Sequence, residues 1–226
     1  MKNLRLYHYV HCPFCVRVRL ALSFLELQYE SIVLPYDEEG IPVKLTGTKM
    51  LPIFESSNLV MNESLDIIKY IDNQKIINWE IYQKNHNEIE KLLNKIGENV
   101  HSLAMPYWIF TPEFDDVSRN YFKKKKELKR GPFNLLVKNK NLFTNNLNEL
   151  FNEILPFFKP FYLSENFGIA DIMIYSHLVG LYVVPGFHFP ERIVEFMKSI
   201  EKVTSFSYHE DFWRTNESFN LKMRKV

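Results

Sequence analysis

Two cysteines, Cys12 and Cys15, are the residues of this chain whose types and spacing most clearly suggest chemistry. Only Pro13 and Phe14 separate them, and the four residues follow a predicted strand and begin a predicted helix. At a helix N-terminus, unpaired amide donors and the positive end of the helix dipole stabilise a thiolate and lower its pKa. We therefore expect Cys12 to be a partly ionised nucleophile and Cys15, one turn later, to be a covered resolving thiol.

The first elements that must position these thiols follow from the hydrophobic pattern. Residues 4–10 alternate leucines with polar or aromatic residues, which predicts a strand, and residues 13–25 have apolar residues at helical spacing. Residues 28–34 predict a second strand, and a proline and charged turn at residues 35–40 precede a short helix that ends near Gly47. Together these segments predict a β-α-β unit.

A hairpin and a helix are predicted to complete this first region. Residues 52–55 and 58–61 are brief apolar runs separated by two serines, which suits a small hairpin. The helix that follows is predicted to have Asn62 as its N-cap and Glu63 in its first turn, where the helix dipole favours a negative charge.

The pattern changes near Lys75, where strand-like alternation gives way to apolar residues at helical spacing. The change predicts an α/β domain over residues 1–75 and an all-helical domain over residues 76–226. Prolines are tolerated chiefly in loops and first turns, so they divide the second domain into helices. These prolines are Pro112, Pro132, Pro156, Pro160, Pro185 and Pro190.

Charged residues at three places bear on the site and its partners. The lysine-rich stretch 123–130 is predicted to be the solvated end of a helix that stops at Gly131. We expect Arg17 to face solvent, although Arg17 and Arg19 could both add positive potential near the thiols.

Composition excludes several classes of protein. The 226 residues include 28 Lys and Arg against 27 Asp and Glu, and a net charge of +1 does not suit a nucleic-acid binder. Apolar runs such as residues 178–185 are too short to cross a bilayer, and the N-terminus does not resemble a secretory signal. We therefore expect a cytoplasmic protein with no nucleic-acid or membrane partner.

Two other roles for the cysteines are less favoured. A structural disulfide across so tight a loop closes little chain entropy and does not suit a reducing compartment. A metal site would combine Cys12 and Cys15 with His8 and His11, but His8 on a strand is expected to point away from His11. We therefore expect no metal.

These motifs resemble a known family. The segments 12–15 (CPFC), 50–53 (MLPI) and 62–66 (NESLD) resemble the glutathione S-transferase-like N-terminal domain, and in particular that of the glutaredoxin 2 group of bacterial proteins. Segments 114–126 and 180–192 are similar to the helical domain of that group. The resemblance spans nearly the whole chain. It implies a thioredoxin-like α/β domain followed by an all-α domain, the glutathione S-transferase-like architecture.

The resemblance also implies roles for matching residues. Pro52 corresponds to a cis proline, a rare geometry that exposes the backbone of Leu51 to the cysteinyl part of glutathione. Ser64 would hold the γ-glutamyl carboxylate at a helix N-terminus, and Glu63 would face the ammonium group. Lys49 is a weaker candidate for the glycyl carboxylate.

The activity implied is that of a glutaredoxin, a glutathione-dependent thiol-disulfide oxidoreductase. Cys12 would attack glutathione mixed disulfides, and Cys15 would add a route for protein disulfides. Glutathione is then the cosubstrate, glutathionylated or disulfide-bonded proteins are the partners, and the chain is expected to be a monomer.

Three alternatives remain open. A conjugating glutathione transferase would use Tyr7 or Tyr9 to activate the thiol of glutathione, although a strand tyrosine is usually a packing residue. A non-catalytic adaptor would use the transferase-like shape to bind proteins. An iron-sulfur carrier would hold a cluster through Cys12 and glutathione thiols at a dimer interface.

Two features depart from the family pattern. Gly168, three residues before Asp171, stands where a Ser or Thr usually caps a helix of the helical domain, and a glycine there is expected to cost little. The stretch from Ser205, with Trp213 and Arg214, matches no pattern that we can assign.

Overall fold

A computed structural model describes residues 4–208, so Trp213 and Arg214 lie outside the described residues. The first region has a four-stranded sheet with the strand order β2-β1-β3-β4. Its strands are β1 (Arg5–His8), β2 (Glu30–Val33), β3 (Ile53–Ser56) and β4 (Leu59–Met61). β2 is parallel to β1, whereas β3 is antiparallel to both β1 and β4. The β-α-β unit and the hairpin are confirmed.

Three helices accompany the sheet: α1 (Pro13–Phe24), α2 (Gly40–Thr46) and α3 (Ser64–Ile71). The predicted N-cap of α3 is wrong, because the cap is Glu63 and not Asn62. The chain leaving β4 stays extended through Glu63, with ψ at 115°, so the helix begins one residue later than predicted. The Asn62 side chain instead donates to Thr48 Oγ1, over 3.5 Å.

The later region is helical, as predicted. Its helices are α4 (Glu80–Lys84), α5 (His86–Trp108), α6 (Asp116–Arg130), α7 (Phe133–Lys138), α8 (Lys140–Ile154), α9 (Ile169–Leu178) and α10 (Glu191–Thr204). α6 ends at the predicted stop, where Gly131 adopts a φ of 85°. Among the described helices, none combines the length and apolarity needed to span a membrane. The division of the chain near residue 75 stays a prediction.

One hydrophobic core runs through both regions. α1 packs on α3 and also on α9 and α10, while α5 packs on α8 and α9. Phe24 and Phe167 bring the two regions together, with ring centroids 4.8 Å apart. Burying α1 between the sheet region and the helices fixes its N-terminus, and therefore Cys12, against the helical region.

Gly168 has a steric reason for replacing the expected Ser or Thr. A Cβ on Gly168 would lie 2.5 Å from the carbonyl oxygen of Asn78, too close for any side chain. The start of α9 is held instead by Asp171, whose carboxylate accepts the amide N–H groups of Gly168 at 2.9 Å and Tyr162 at 2.8 Å. The departure from the family pattern therefore follows from the close approach of two chain segments.

Candidate thiol site

Both cysteines lie where the sequence predicts them. Cys12 is the N-cap residue of α1, Pro13 is the first helical residue, and both thiols are free. Cys12 is partly exposed, whereas Cys15 is fully buried in a small apolar cluster with Leu51 and Ile53. Cys12 is therefore the thiol that a substrate can reach.

The two thiols have opposite pKa shifts. The pKa of Cys12 is lowered to about 7, chiefly by the hydrogen bond from the Cys15 thiol, which outweighs the opposing effect of burial. The amides of Cys15 and Phe14 and the Lys126 ammonium lower this pKa further. Burial and the hydrogen bond to Cys12 raise the pKa of Cys15, although the Tyr9 amide N–H approaches its sulfur at 3.5 Å. Near neutral pH, Cys12 is thus partly a thiolate while Cys15 keeps its proton.

A cavity of about 210 Å³ opens beside Cys12, between the first region and helices α5 and α6. Its walls are mainly aromatic and apolar, with a few titratable groups. Around Cys12 it is lined by Tyr9, Val10, His11, Pro13, Phe14, Leu34, Tyr36, Leu51, His101, Met105, Trp108, Glu113, Phe114, Phe122 and Lys126. A substrate bound at Cys12 would therefore touch both regions.

The residues assigned to glutathione by resemblance lie at three places. The Leu51–Pro52 peptide bond is cis, and Leu51 forms part of the cavity wall together with Cys12. Glu63 and Ser64 lie at the N-terminus of α3, outside that wall, with Glu63 exposed and Ser64 buried. Lys49 lies at a contact between the two regions.

We call Glu39, Lys49, Tyr121 and Lys125 the rim cluster. Lys49 Nζ lies 3.2 Å from Glu39 Oε1 and 4.0 Å from the centre of the Tyr121 ring. The Tyr121 hydroxyl donates to Glu39, and Lys125 Nζ lies 4.0 Å from the same carboxylate. These contacts lower the pKa of Glu39, with the hydrogen bond from Tyr121 as the largest cause.

We call His11, Trp108, Thr111, Glu113 and Tyr208 the inner cluster. The His11 ring stacks on Trp108 at a centroid distance of 5.1 Å, and its Nδ1 lies 2.8 Å from the Tyr208 hydroxyl. Its Nε2 lies 3.0 Å from Thr111 Oγ1 and pairs with the Glu113 carboxylate. Burial would raise the pKa of Glu113, but the charge and hydrogen bond of His11 lower it overall. Residues of the helical region therefore hold the residue that precedes Cys12.

The prediction that Arg17 faces solvent is wrong, because both arginines of α1 are buried. Arg17 lies over the Phe14 ring, with its Cζ 4.6 Å from the ring centre, and burial lowers its pKa to about 10. Arg19 donates to the carbonyl oxygens of Val10 and Tyr208. The prediction failed because α1 packs on α3 of the first region and also on α9 and α10 of the helical region, so the two arginines are covered.

The strand residues considered in alternative roles have other partners. The Tyr7 hydroxyl donates to Glu55 at 2.8 Å, and the Tyr9 hydroxyl lies 3.5 Å from the carbonyl oxygen of Tyr36. Burial raises the pKa of Tyr9. His8 Nε2 lies 2.8 Å from Ser31 Oγ on β2, whereas the hydrogen-bond partners of His11 belong to the helical region. Within residues 4–208, no group of three or more His, Cys, Asp or Glu side chains could hold a metal ion.

Two residues near Cys12 were missed by the sequence analysis. Lys126 was predicted to belong to a solvated helix end, but it lines the cavity and lies 5.5 Å from the ring centres of Tyr36 and Phe122. Its spacing of four residues from the buried Phe122 was a usable signal, because such residues share a helix face. Glu113 carried no local signal, since its partner is about one hundred residues away in the sequence.

The fold and the site together define a class of protein. A mixed sheet with a cysteine pair at the start of its first helix, packed on an all-helical region across a cleft, is a thioredoxin-like domain in the glutathione S-transferase-like architecture.

Comparisons with known proteins agree with this class. The model of the glutathione S-transferase N-terminal domain matches residues 6–76, and the model of the glutaredoxin 2 C-terminal domain matches residues 88–211. The second match alone covers more than half of the chain. The chain belongs to the glutaredoxin 2 family.

Relatives and solved structures match over most of their length. Glutaredoxin 2 of Escherichia coli strain K12 is 29% identical over 89% of this chain and 95% of its own length. Glutaredoxin 2 of Salmonella typhimurium, solved in complex with glutathione, is 26% identical with a TM-score of 0.82, over 92% of this chain and 97% of its own. A glutathione S-transferase of Ceriporiopsis subvermispora, 14% identical with a TM-score of 0.75 over 89% of this chain and 98% of its own, shares the fold.

Proposed function

We propose that this chain is a glutathione-dependent thiol-disulfide oxidoreductase, a glutaredoxin. The observation that carries the proposal is the asymmetry of the two thiols: Cys12 is partly exposed with a pKa of about 7, and Cys15 beside it is buried with a raised pKa. A thiolate that is populated at neutral pH and reachable from a cavity is suited to thiol-disulfide exchange. The glutathione bound to the related Salmonella protein supports the choice of cosubstrate.

The reaction on a glutathionylated protein takes two exchanges. The Cys12 thiolate attacks the glutathione sulfur, a new disulfide forms between them, and the protein thiolate leaves and takes up a proton. A second glutathione thiolate then attacks the bound glutathione sulfur, which releases glutathione disulfide and restores the Cys12 thiolate. This route consumes one free glutathione for each protein thiol recovered, and the glutathione disulfide also carries the glutathione that was taken from the protein.

Cys15 serves the route for protein disulfides. After Cys12 forms a mixed disulfide with the protein, Cys15 loses its proton and attacks the Cys12 sulfur, which releases the second protein thiol. The Cys12–Cys15 disulfide that results is reduced by two glutathione molecules. The raised pKa of Cys15 keeps it protonated until Cys12 has reacted.

We assign the ends of glutathione to the matching residues. The backbone of Leu51 would pair with the cysteinyl part beside Cys12, and Ser64 with Glu63 would hold the γ-glutamyl end at the N-terminus of α3. Lys49 would take the glycyl carboxylate. The partners would be glutathionylated or disulfide-bonded proteins, met by a monomer in the reducing cytoplasm.

Mass spectrometry after exposure to oxidised glutathione tests the proposal. We expect one stable glutathione adduct in Cys15→Ser, on Cys12, because no resolving thiol can displace it. Wild type should instead accumulate the Cys12–Cys15 disulfide, and Cys12→Ser should form neither product. An adduct in Cys12→Ser, or none in Cys15→Ser, would contradict the assignment, and the second outcome would favour a non-catalytic adaptor.

A further inference from the structure

The rim cluster contains one carboxylate for two ammonium groups. Glu39 contacts Lys49 from its own region and, across the cleft, Tyr121 and Lys125 on α6. The side chain of Lys49 is 19% exposed, whereas that of Glu39 is 53% exposed. The cluster therefore holds a well-covered cation whose counter-ion is open to water.

The surroundings of Lys49 leave little room for a second anion. Its Nζ lies 4.0 Å from the centre of the Tyr121 ring and 5.5 Å from the centre of the Tyr36 ring. The Glu39 carboxylate occupies a further position around the ammonium. The two rings attract the ammonium and belong to the folded protein, so a ligand anion cannot take their positions. A carboxylate from a ligand that needs this ammonium must therefore compete with Glu39.

We propose that Glu39 is an intramolecular competitor for the glycyl carboxylate of glutathione, and that it sets how tightly this chain holds glutathione. The inference rests on the proposed function, which assigns that carboxylate to Lys49. When glutathione enters, its glycyl carboxylate replaces Glu39 at Lys49. Glu39 then keeps its contacts with Tyr121 and Lys125 of α6, so its charge stays compensated.

The exposure of Glu39 makes the exchange easy. Ion pairs between exposed groups contribute little because water and salt screen them, so Glu39 can be displaced by a ligand held at several other points. We therefore expect the competition to weaken glutathione binding by about two- to fivefold, the range typical of one exposed ion pair.

The experiment measures binding of S-methylglutathione by calorimetry, because a methylated sulfur cannot undergo thiol exchange. Glu39→Gln should bind this ligand about two- to fivefold more tightly than wild type at low salt. The gain should shrink at roughly 0.5 M salt. The Glu39 side chain makes no capping hydrogen bond to α2, so the substitution leaves that helix start intact. Glu153→Gln, the same charge change at an exposed position of α8, should bind as wild type does.

Two further measurements separate competition from other causes. The same ligand with its glycyl carboxylate converted to an amide should bind wild type and Glu39→Gln equally, because it cannot use Lys49. In a double-mutant cycle, Lys49→Gln should weaken binding and should remove the gain from Glu39→Gln. A gain of equal size with the amide, or a gain that persists without Lys49, would overturn the inference.

The results also distinguish this inference from the proposed function. If S-methylglutathione binds wild type and Lys49→Gln weakens it, but Glu39→Gln changes nothing, the competition is wrong and the function stands. If the ligand binds no variant, and Cys15→Ser forms no glutathione adduct, the proposed function fails and the inference fails with it.

Discussion

The inner and rim clusters connect the same two regions of the molecule but differ in their exposure to water. In the inner cluster, the side chains of His11 and Glu113 are 5% and 8% exposed. In the rim cluster, those of Glu39 and Lys125 are 53% and 57% exposed. Each contains one carboxylate that pairs with a nitrogen-bearing side chain, so the two pairs differ chiefly in burial.

Burial decides whether such a contact is permanent or exchangeable. A buried charge that loses its partner keeps its desolvation penalty, which makes the pair costly to break. An exposed charge that loses its partner is solvated by water. The inner cluster can therefore fix the loop before Cys12, whereas the rim cluster can change partners when a ligand arrives.

The largest effect is expected from Glu113→Ala. The substitution removes the buried carboxylate that pairs with His11 Nε2, and we expect a loss of about 3–5 kcal/mol in the free energy of unfolding. Urea denaturation measures it, with the exposed Glu153→Ala as the matched control, for which we expect little change. A loss below about 1 kcal/mol for Glu113→Ala would show that the two clusters do not differ as burial requires.

Gly180→Ala is expected to disturb the inner cluster by crowding Trp108. A Cβ at Gly180 would lie 2.7 Å from the indole, whose Nε1 donates to the Gly180 carbonyl oxygen at 2.9 Å, so the ring on which His11 stacks must move. We expect a loss of about 1–3 kcal/mol in the free energy of unfolding, measured in urea. Gly40→Ala, whose Cβ would meet only the end of the Glu38 side chain, should cause no such loss, and equal stabilities would contradict the prediction.

The parts of the molecule that could be predicted from sequence depend on neighbours along the chain. The thiol pair, the first strands and the hairpin follow from spacing and alternation within a few residues. The role of His11 could not be predicted, because its ring is held by Thr111 and Tyr208, about 100 and 200 residues away. The burial of Arg17 was missed for the same reason, since helices far along the chain cover it.

The pH dependence of stability should also come from the inner cluster. The pKa of Glu113 is lower in the folded chain than its ordinary value of 4.5, so its ionised form stabilises the fold above that value. This contribution is lost as the pH falls from 4.5 through the folded pKa. In urea titrations between pH 6 and pH 3, wild type should lose more stability than Glu113→Gln. Parallel curves for the two proteins would contradict the assignment.

Lys126 lines the cavity beside Cys12, and its effect is expected on reactivity rather than stability. Its ammonium is one cause of the lowered pKa of Cys12. In Lys126→Gln the pKa of Cys12 should rise, so alkylation by iodoacetamide at pH 6.5 should slow by less than about tenfold. The exposed Lys129→Gln makes the same charge change on α6 and should leave the rate unchanged, whereas equal slowing in both variants would point to net charge alone.

The smallest effect is expected from Tyr121→Phe, which removes the hydroxyl that connects Glu39 to α6 and keeps the ring beneath Lys49. Because the contact is exposed, the urea midpoint should stay as in wild type, in contrast to Glu113→Ala. The hydrogen bond from Tyr121 is the largest cause of the lowered pKa of Glu39, so without it that pKa should rise toward the ordinary value, which NMR titration of the carboxyl carbon can follow. A large fall in the urea midpoint would mean that the rim cluster supports the fold as the inner cluster does, and an exchangeable Glu39 would be ruled out.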